Sequence, residues 1–222
     1  MASNEPTAEV EEVVVEEVET DSQQIEWLSV LTFWGMVAVF VAFAGVICGG
    51  FAVQFGTGDY PCPLCMIQRY GMMLTAAGAM WVVINARRGT MTSSRYSQGI
   101  GLSILGAIIG GAASVRQVLL HIMPGDPGYG DPVLGLHLYT WALVCFIVLI
   151  IFCGCLLVIA PRARPIAPAK GGFWWILSSI GIWFFIVVVI ANLIMIIFLE
   201  GFAFVLPDDP TSYNLIDQLT GK

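Results

Sequence analysis

Cys62-Pro63-Leu64-Cys65, with Arg69 four residues further on, is the group in this sequence best suited to chemistry. A Cys-x-x-Cys pair makes and breaks a disulfide and so carries two electrons. The thiolate is the reactive form, so whatever stabilises negative charge on sulfur sets the rate. Pro63 suits the first position of a helix. Cys65 then falls in the first turn, where free N–H groups and a partial positive charge favour a thiolate. Arg69 lies one turn on, on the same face, and adds a full positive charge. A static disulfide across so short a gap would constrain almost nothing. Reversible thiol exchange is therefore favoured over a structural link.

Other polar residues fall near the same level of the chain. Arg69 has an alternative use as an interfacial anchor whose stem lies along apolar surface. A cation near the bilayer edge could instead bind a carbonyl oxygen or stabilise negative charge on a reduced group. Arg116 lies inside an apolar stretch, where an ionisable residue is a functional candidate by default. Gln117 is a neutral hydrogen-bond donor beside it. His121 and His137 lie at the edges of two apolar stretches and suit either proton transfer or interfacial anchoring. Cys48 and Cys145 sit in apolar sequence and read as packing residues. Cys153 and Cys155 would point about 200° apart on a helix, which makes them a poor disulfide or metal pair. No metal site is expected, and no histidine follows Cys65, which excludes the usual c-type haem attachment sequence.

The elements that must position these residues are membrane helices. The chain is 58% hydrophobic and 11% charged. Five apolar stretches, about 28–53, 64–85, 99–122, 134–160 and 173–199, have the roughly 20-residue length that spans a bilayer. The third, with its glycines and Arg116, is the weakest, and the fifth carries no charge. The fold class is all-α integral membrane protein. Gly45 with Gly49, and Gly106 with Gly110, are pairs that would let helix backbones approach closely. No internal repeat or polar stripe points to a transporter.

Nine of the sixteen acidic residues lie within 1–26, which contains no Lys or Arg. That segment reads as a disordered, solvated tail and not as a signal peptide. Arg87, Arg88 and Arg95 lie in one loop, and Arg162, Arg164 and Lys170 in another. The positive-inside bias places both loops in the cytoplasm. The N-terminus is then cytoplasmic, and Cys62, residues 123–133 and the C-terminus are external. The expected organisation is an acidic cytoplasmic tail (1–26), a thiol-redox membrane domain (27–161), a basic cytoplasmic linker (162–172), a fifth span (173–199) and an external tail (200–222). The setting is the inner or plasma membrane, outside which disulfides persist.

The run Cys62-Pro-Leu-Cys65-Met-Ile-Gln-Arg69 resembles the DsbB-type membrane disulfide oxidases, whose first outer loop carries a CxxC with an arginine four residues beyond it. The similarity extends over about 28–160 and includes Arg116-Gln117-Val-Leu-Leu-His121 ahead of a Pro-rich loop. It implies a four-helix bundle, here with a fifth transmembrane helix added. It implies a quinone cofactor (ubiquinone or menaquinone), with Cys65 in the charge-transfer position and Arg69 contacting the quinone. Arg116, Gln117, His121 and His137 are the further candidates for the cofactor site. The implied partners are an extracytoplasmic thioredoxin-like thiol protein, the quinone pool and other membrane subunits; no nucleic acid is expected. Electrons would pass from protein thiols to respiration.

The chain departs from that pattern in three places. Well-studied members carry a second cysteine pair in the second outer loop, and residues 122–136 contain no cysteine. Some members place a histidine where Gln117 stands. The fifth helix is additional. Two functions compete on these grounds: a quinone-linked thiol oxidase using one CxxC, and a non-catalytic accessory subunit of a membrane complex, such as a respiratory one.

Overall fold

The computed structural model describes residues 8–202 and 210–220, with side chains from residue 23 onward except Ile25. Six helices follow in order: α1 (Ala8–Gly56), α2 (Pro63–Arg87), α3 (Ser93–Leu120), α4 (Leu138–Ile159), α5 (Phe173–Glu200) and α6 (Asn214–Thr220). Among the described residues there is no strand beyond an isolated Val133–Leu136 bridge. Helices dominate because hydrocarbon offers backbone groups no partner outside their own segment. The expected disordered tail lies partly outside the described residues; α1 runs as helix from Ala8. Residues 203–209 of the expected external tail also lie outside them, and the tail's described end is the short helix α6.

Among the described residues, four segments are long and apolar enough to cross a membrane: Glu26–Gly56 of α1, α3, α4 and α5. The fifth long helix, α2, is not among them, so the least apolar of the five expected spans is the second and not the third. The reason is its position. α2 packs between α1 and α3 and also touches α4 and α5. Gln68, Arg69, Thr75 and Asn85 are buried on it. A helix sheltered by protein can carry polar groups that a lipid-facing helix cannot. By contrast, α4 and α5 present Val148, Ile151, Val158, Trp183 and Val187 outward.

The closest packing is the α2–α3 seam. A Cβ on Gly71 would come 2.5 Å from the Gly110 Cα, and one on Gly106 would come 2.5 Å from the Thr75 amide nitrogen. The seam is fastened by a reciprocal pair: Thr75 Oγ1 donates to the Ser103 carbonyl (3.2 Å), and Ser103 Oγ donates to the Thr75 carbonyl (2.8 Å). The Gly106–Gly110 pair therefore works as its spacing predicts. Gly45 and Gly49 do not; a Cβ at either would meet nothing within 4 Å. The core continues through Phe43 stacked on Phe146 and Phe40 beside Phe185. At the far end of the bundle Arg87 lies over the Trp175 ring (4.0 Å) and donates to Ser179, tying α2 to the start of α5.

Candidate functional site

Local sequence builds the start of α2. The residue before a proline is driven to extended backbone, and Cys62 sits at φ −70°, ψ 165°. Pro63 opens the helix, where its missing N–H costs nothing. Cys62 thereby becomes the N-cap, and its Sγ accepts the Cys65 N–H at 3.3 Å. The two sulfurs lie 2.7 Å apart with no bond between them. A sub-ångström movement would bring them to the ~2.05 Å of a disulfide. Cys62 is buried and Cys65 half-buried. The hydrogen bond to Cys65, together with burial, holds the Cys62 thiol above the ordinary thiol range.

Gln117 enters this pair from α3. Its Nε2 lies 3.4 Å from the Cys62 sulfur and 3.6 Å from that of Cys65. Its Oε1 accepts from Gln68 Nε2 at 2.7 Å. Gln68 thus fixes the amide with its nitrogen toward the sulfurs. A donor held there stabilises negative charge on either sulfur. The seam glycines make this possible, because they bring α3 close enough to α2 for so short a side chain to reach.

Arg69 is buried at 8% exposure. Its Nη1 donates to Gln54 Oε1 on α1 (3.2 Å) and to Asn192 Oδ1 on α5 (3.5 Å). The Phe51 ring lies 5.3 Å from the guanidinium carbon. A Cβ on Gly50 would stand 3.1 Å from Nη2. Burial at this depth removes Arg69 from the role of a surface anchor.

The remaining expected site residues do not join the thiol pair. Arg116 is exposed on the outside of α3 and makes no hydrogen bond to a described residue. One position along a helix turns a side chain by about 100°, so Arg116 and Gln117 face different surroundings. His121 pairs with Asp126 (3.0 Å). His137 bonds the Gly130 carbonyl (3.0 Å), and its ring stacks on Tyr139, as that of His121 also does. Gly128, at φ 75°, leaves room for the His137 ring, which a Cβ would meet at 2.5 Å. Cys153 is buried and Cys155 exposed, as two positions on opposite faces of one helix should be.

Five neighbours were not singled out from sequence: Gln54, Phe51, Gln68, Asn192 and Tyr213. Gln68 lies one turn from Cys65, which is a usable signal. Asn192 is the only amide in α5, whose other polar residues are Ser178 and Ser179 near its start and Glu200 at its end. Gln54 and Tyr213, 159 positions apart, left no sequence signal. The three segments at this end converge on Tyr60: the Tyr129 hydroxyl donates to its carbonyl, and the Tyr213 ring meets its ring edge-on at 5.0 Å.

A CxxC at a helix mouth, with an arginine one turn on and buried inside a membrane bundle, invites comparison with known proteins. The family model for disulfide bond formation protein DsbB matches residues 32–129. Over these residues, which make up less than half of the chain, it is similar to the DsbB proteins. It is 36% identical over 101 residues to disulfide bond formation protein B of Chromobacterium violaceum, a match covering 45% of this chain and 57% of that one. It is 27% identical over 143 residues to disulfide bond formation protein B 2 of Burkholderia lata, covering 51% and 81%. Against disulfide bond formation protein B of Pseudomonas syringae pv. tomato the figures are 28% over 144 residues, 49% and 82%. No solved structure matches the chain. The DsbB match takes in Cys62, Cys65, Arg69 and Gln117 and ends before α4, so Asn192 and Tyr213 lie beyond it. The similarity and the four apolar helices among the described residues support a multi-pass membrane protein.

Proposed function

We propose that the chain is a quinone-linked thiol oxidase that re-oxidises an extracytoplasmic thioredoxin-like protein through Cys62 and Cys65. The observation that carries this reading is the convergence of Cys62, Cys65 and Gln117 within hydrogen-bonding distance. In the oxidised pair a partner thiolate attacks one sulfur, the Cys62–Cys65 bond breaks, and the expelled sulfur leaves as thiolate. The partner's second thiol then resolves the mixed disulfide. The partner is oxidised, and Cys62 and Cys65 end as thiols. Gln117 donates to whichever sulfur carries charge, and the partner's two thiol protons end on Cys62 and Cys65.

A quinone bound beside Cys65 would supply the acceptor for the two electrons and two protons that restore the disulfide. The residues fit such a group. Arg69 has donors to offer, since only its Nη1 is engaged by described residues. Apolar Phe51 lies beside the Arg69 guanidinium for a ring. Arg69 would hold a carbonyl oxygen and stabilise negative charge there. The positive-inside bias of both far-end loops supports a reading with that end in the cytoplasm and Cys62 outside.

The test uses purified full-length chain in nanodiscs with a short-chain ubiquinone or menaquinone analogue and a reduced thioredoxin-like protein. Thiol-dependent quinone reduction should fall to background in Cys62→Ser and in Cys65→Ser. Unchanged rates would sink the oxidase reading. They would favour the accessory-subunit reading, which the lack of cysteine in 122–136 supports.

A further inference from the structure

We infer that α5 completes the cation site: Asn192, with Gln54 from α1, forms a cage of neutral amides that positions Arg69 as an uncompensated positive charge beside the thiol pair. This deepens the oxidase reading and rests on it. It also gives the added fifth helix a role within the thiol site.

The argument starts from the cost of burial. A buried guanidinium is expensive unless its hydrogen bonds are satisfied, and proteins usually pair it with a carboxylate. Here no carboxylate among the described residues contacts Arg69; both acceptors are amide oxygens. An amide satisfies the hydrogen bond without cancelling the charge, so the field of the cation remains for a nearby thiolate or acceptor oxygen. Both amides are oriented by a second contact. Asn192, fully buried, directs its Nδ2 to the Met73 sulfur at 3.5 Å, which turns Oδ1 toward Arg69. Gln54 directs its Nε2 to the Tyr213 hydroxyl at 3.4 Å, which turns Oε1 the same way. Both acceptors hold one nitrogen, Nη1. Nε and Nη2 make no hydrogen bond to a described residue, and Gly50 keeps space open at Nη2. The fork is thus gripped at one tip and left free at the other.

Asn192 is a positioning residue in this scheme, and charge separates that role from a structural one. Asn192→Asp keeps the shape and strengthens the hydrogen bond but neutralises the cation. Asn192→Leu keeps the size and the neutrality but removes the bond. The probe is iodoacetamide alkylation of Cys65 at pH 7 in the reduced full-length chain, read at the peptide by mass spectrometry. Arg69→Met should slow alkylation about tenfold, the effect of about one unit in thiol acidity. Asn192→Asp should slow it comparably, and Asn192→Leu by no more than about threefold. A purely structural Asn192 gives the opposite order, with Asp tolerated and Leu defective, and that order overturns the inference. So does Asn192→Asp alkylating at the wild-type rate while Arg69→Met is slow. If Asn192→Asp fails to fold, Gln54→Glu against Gln54→Leu makes the same comparison on the other acceptor. Quinone reduction on the same samples keeps the two readings apart. An inactive wild type with the expected alkylation order sinks the oxidase reading and leaves the cage standing. An Arg69→Met variant that alkylates normally sinks the cage.

Discussion

Two polar clusters sit at the same end of this bundle, and they are built differently. One is Cys62, Cys65, Gln117, Gln68 and Arg69, carried by α2 and α3 and mostly buried. The other is His121, Asp126, His137 and Tyr139, at the α3–α4 connection and the start of α4, with Asp126 exposed, the histidines part-exposed and Tyr139 buried. In the first, polar groups from separate helices converge because small residues let the backbones touch. In the second, each histidine finds its partner within its own loop. Water screens and replaces the contacts of the second cluster, whereas the first works in a low dielectric where each donor counts for more. On this contrast the proposed chemistry belongs to the helix seam, with the loop in a supporting role.

The sharpest way to break the contrast is Arg69. Arg69→Leu should lower thiol-dependent quinone reduction by about a hundredfold, the scale of losing one preorganised electrostatic donor. Arg69→Lys should recover only part of it, because a point charge lacks the planar fork. His121→Ala and His137→Ala, assayed alongside, should stay within about threefold of wild type, as expected of exposed groups. A histidine variant as damaged as Arg69→Leu would reverse the assignment.

The seam itself comes next. Gly106→Ala forces a Cβ against the Thr75 backbone, an overpacking worth about 1–3 kcal/mol. Its thermal midpoint in detergent should fall by several degrees. Gly45→Ala, with open space around its Cβ, should leave the midpoint unchanged. Equal behaviour of the two would show that the close approach is not where stability resides.

Gln117→Leu should slow quinone reduction about tenfold, as loss of one hydrogen bond to a charged sulfur implies. It also leaves Gln68 without its acceptor, so the Gln68→Leu/Gln117→Leu double variant should fold at least as well as the single one. A single variant of wild-type rate would remove Gln117 from the site.

The smallest effect belongs to the loop. The Gly128 N–H and then His121 hold the Asp126 carboxyl below the usual carboxylate range. Its folded value is depressed, so its contribution is present above the ordinary value of about 4 and is lost as pH falls through the folded value. Hydrogen exchange of residues 121–137, corrected for the intrinsic rate, should rise as pH drops below about 4 while the α2–α3 seam stays protected. Asp126→Asn should abolish that rise, and an unchanged pH profile in that variant would assign it to another group.

The sequence by itself determined the helices, the thiol motif and its orientation on α2. Each of these rests on local rules: about 20 apolar residues make a span, Pro63 starts a helix, and a four-residue step keeps Arg69 on the face of Cys65. It also marked Gly106 and Gly110 correctly, because small residues four apart line one face. It could not separate Arg116 from Gln117, or Gly45 from Gly106, since both choices depend on where a neighbouring helix lies. Nor could it find Gln54, Asn192 and Tyr213, which come from distant parts of the chain. Tertiary packing alone decided that Gln117 reaches the sulfurs and that Arg69 is buried against two amides. The physical reason is the same in both cases. Short polar side chains act over about 3 Å, and only the packing of whole helices brings groups so far apart in sequence within that distance.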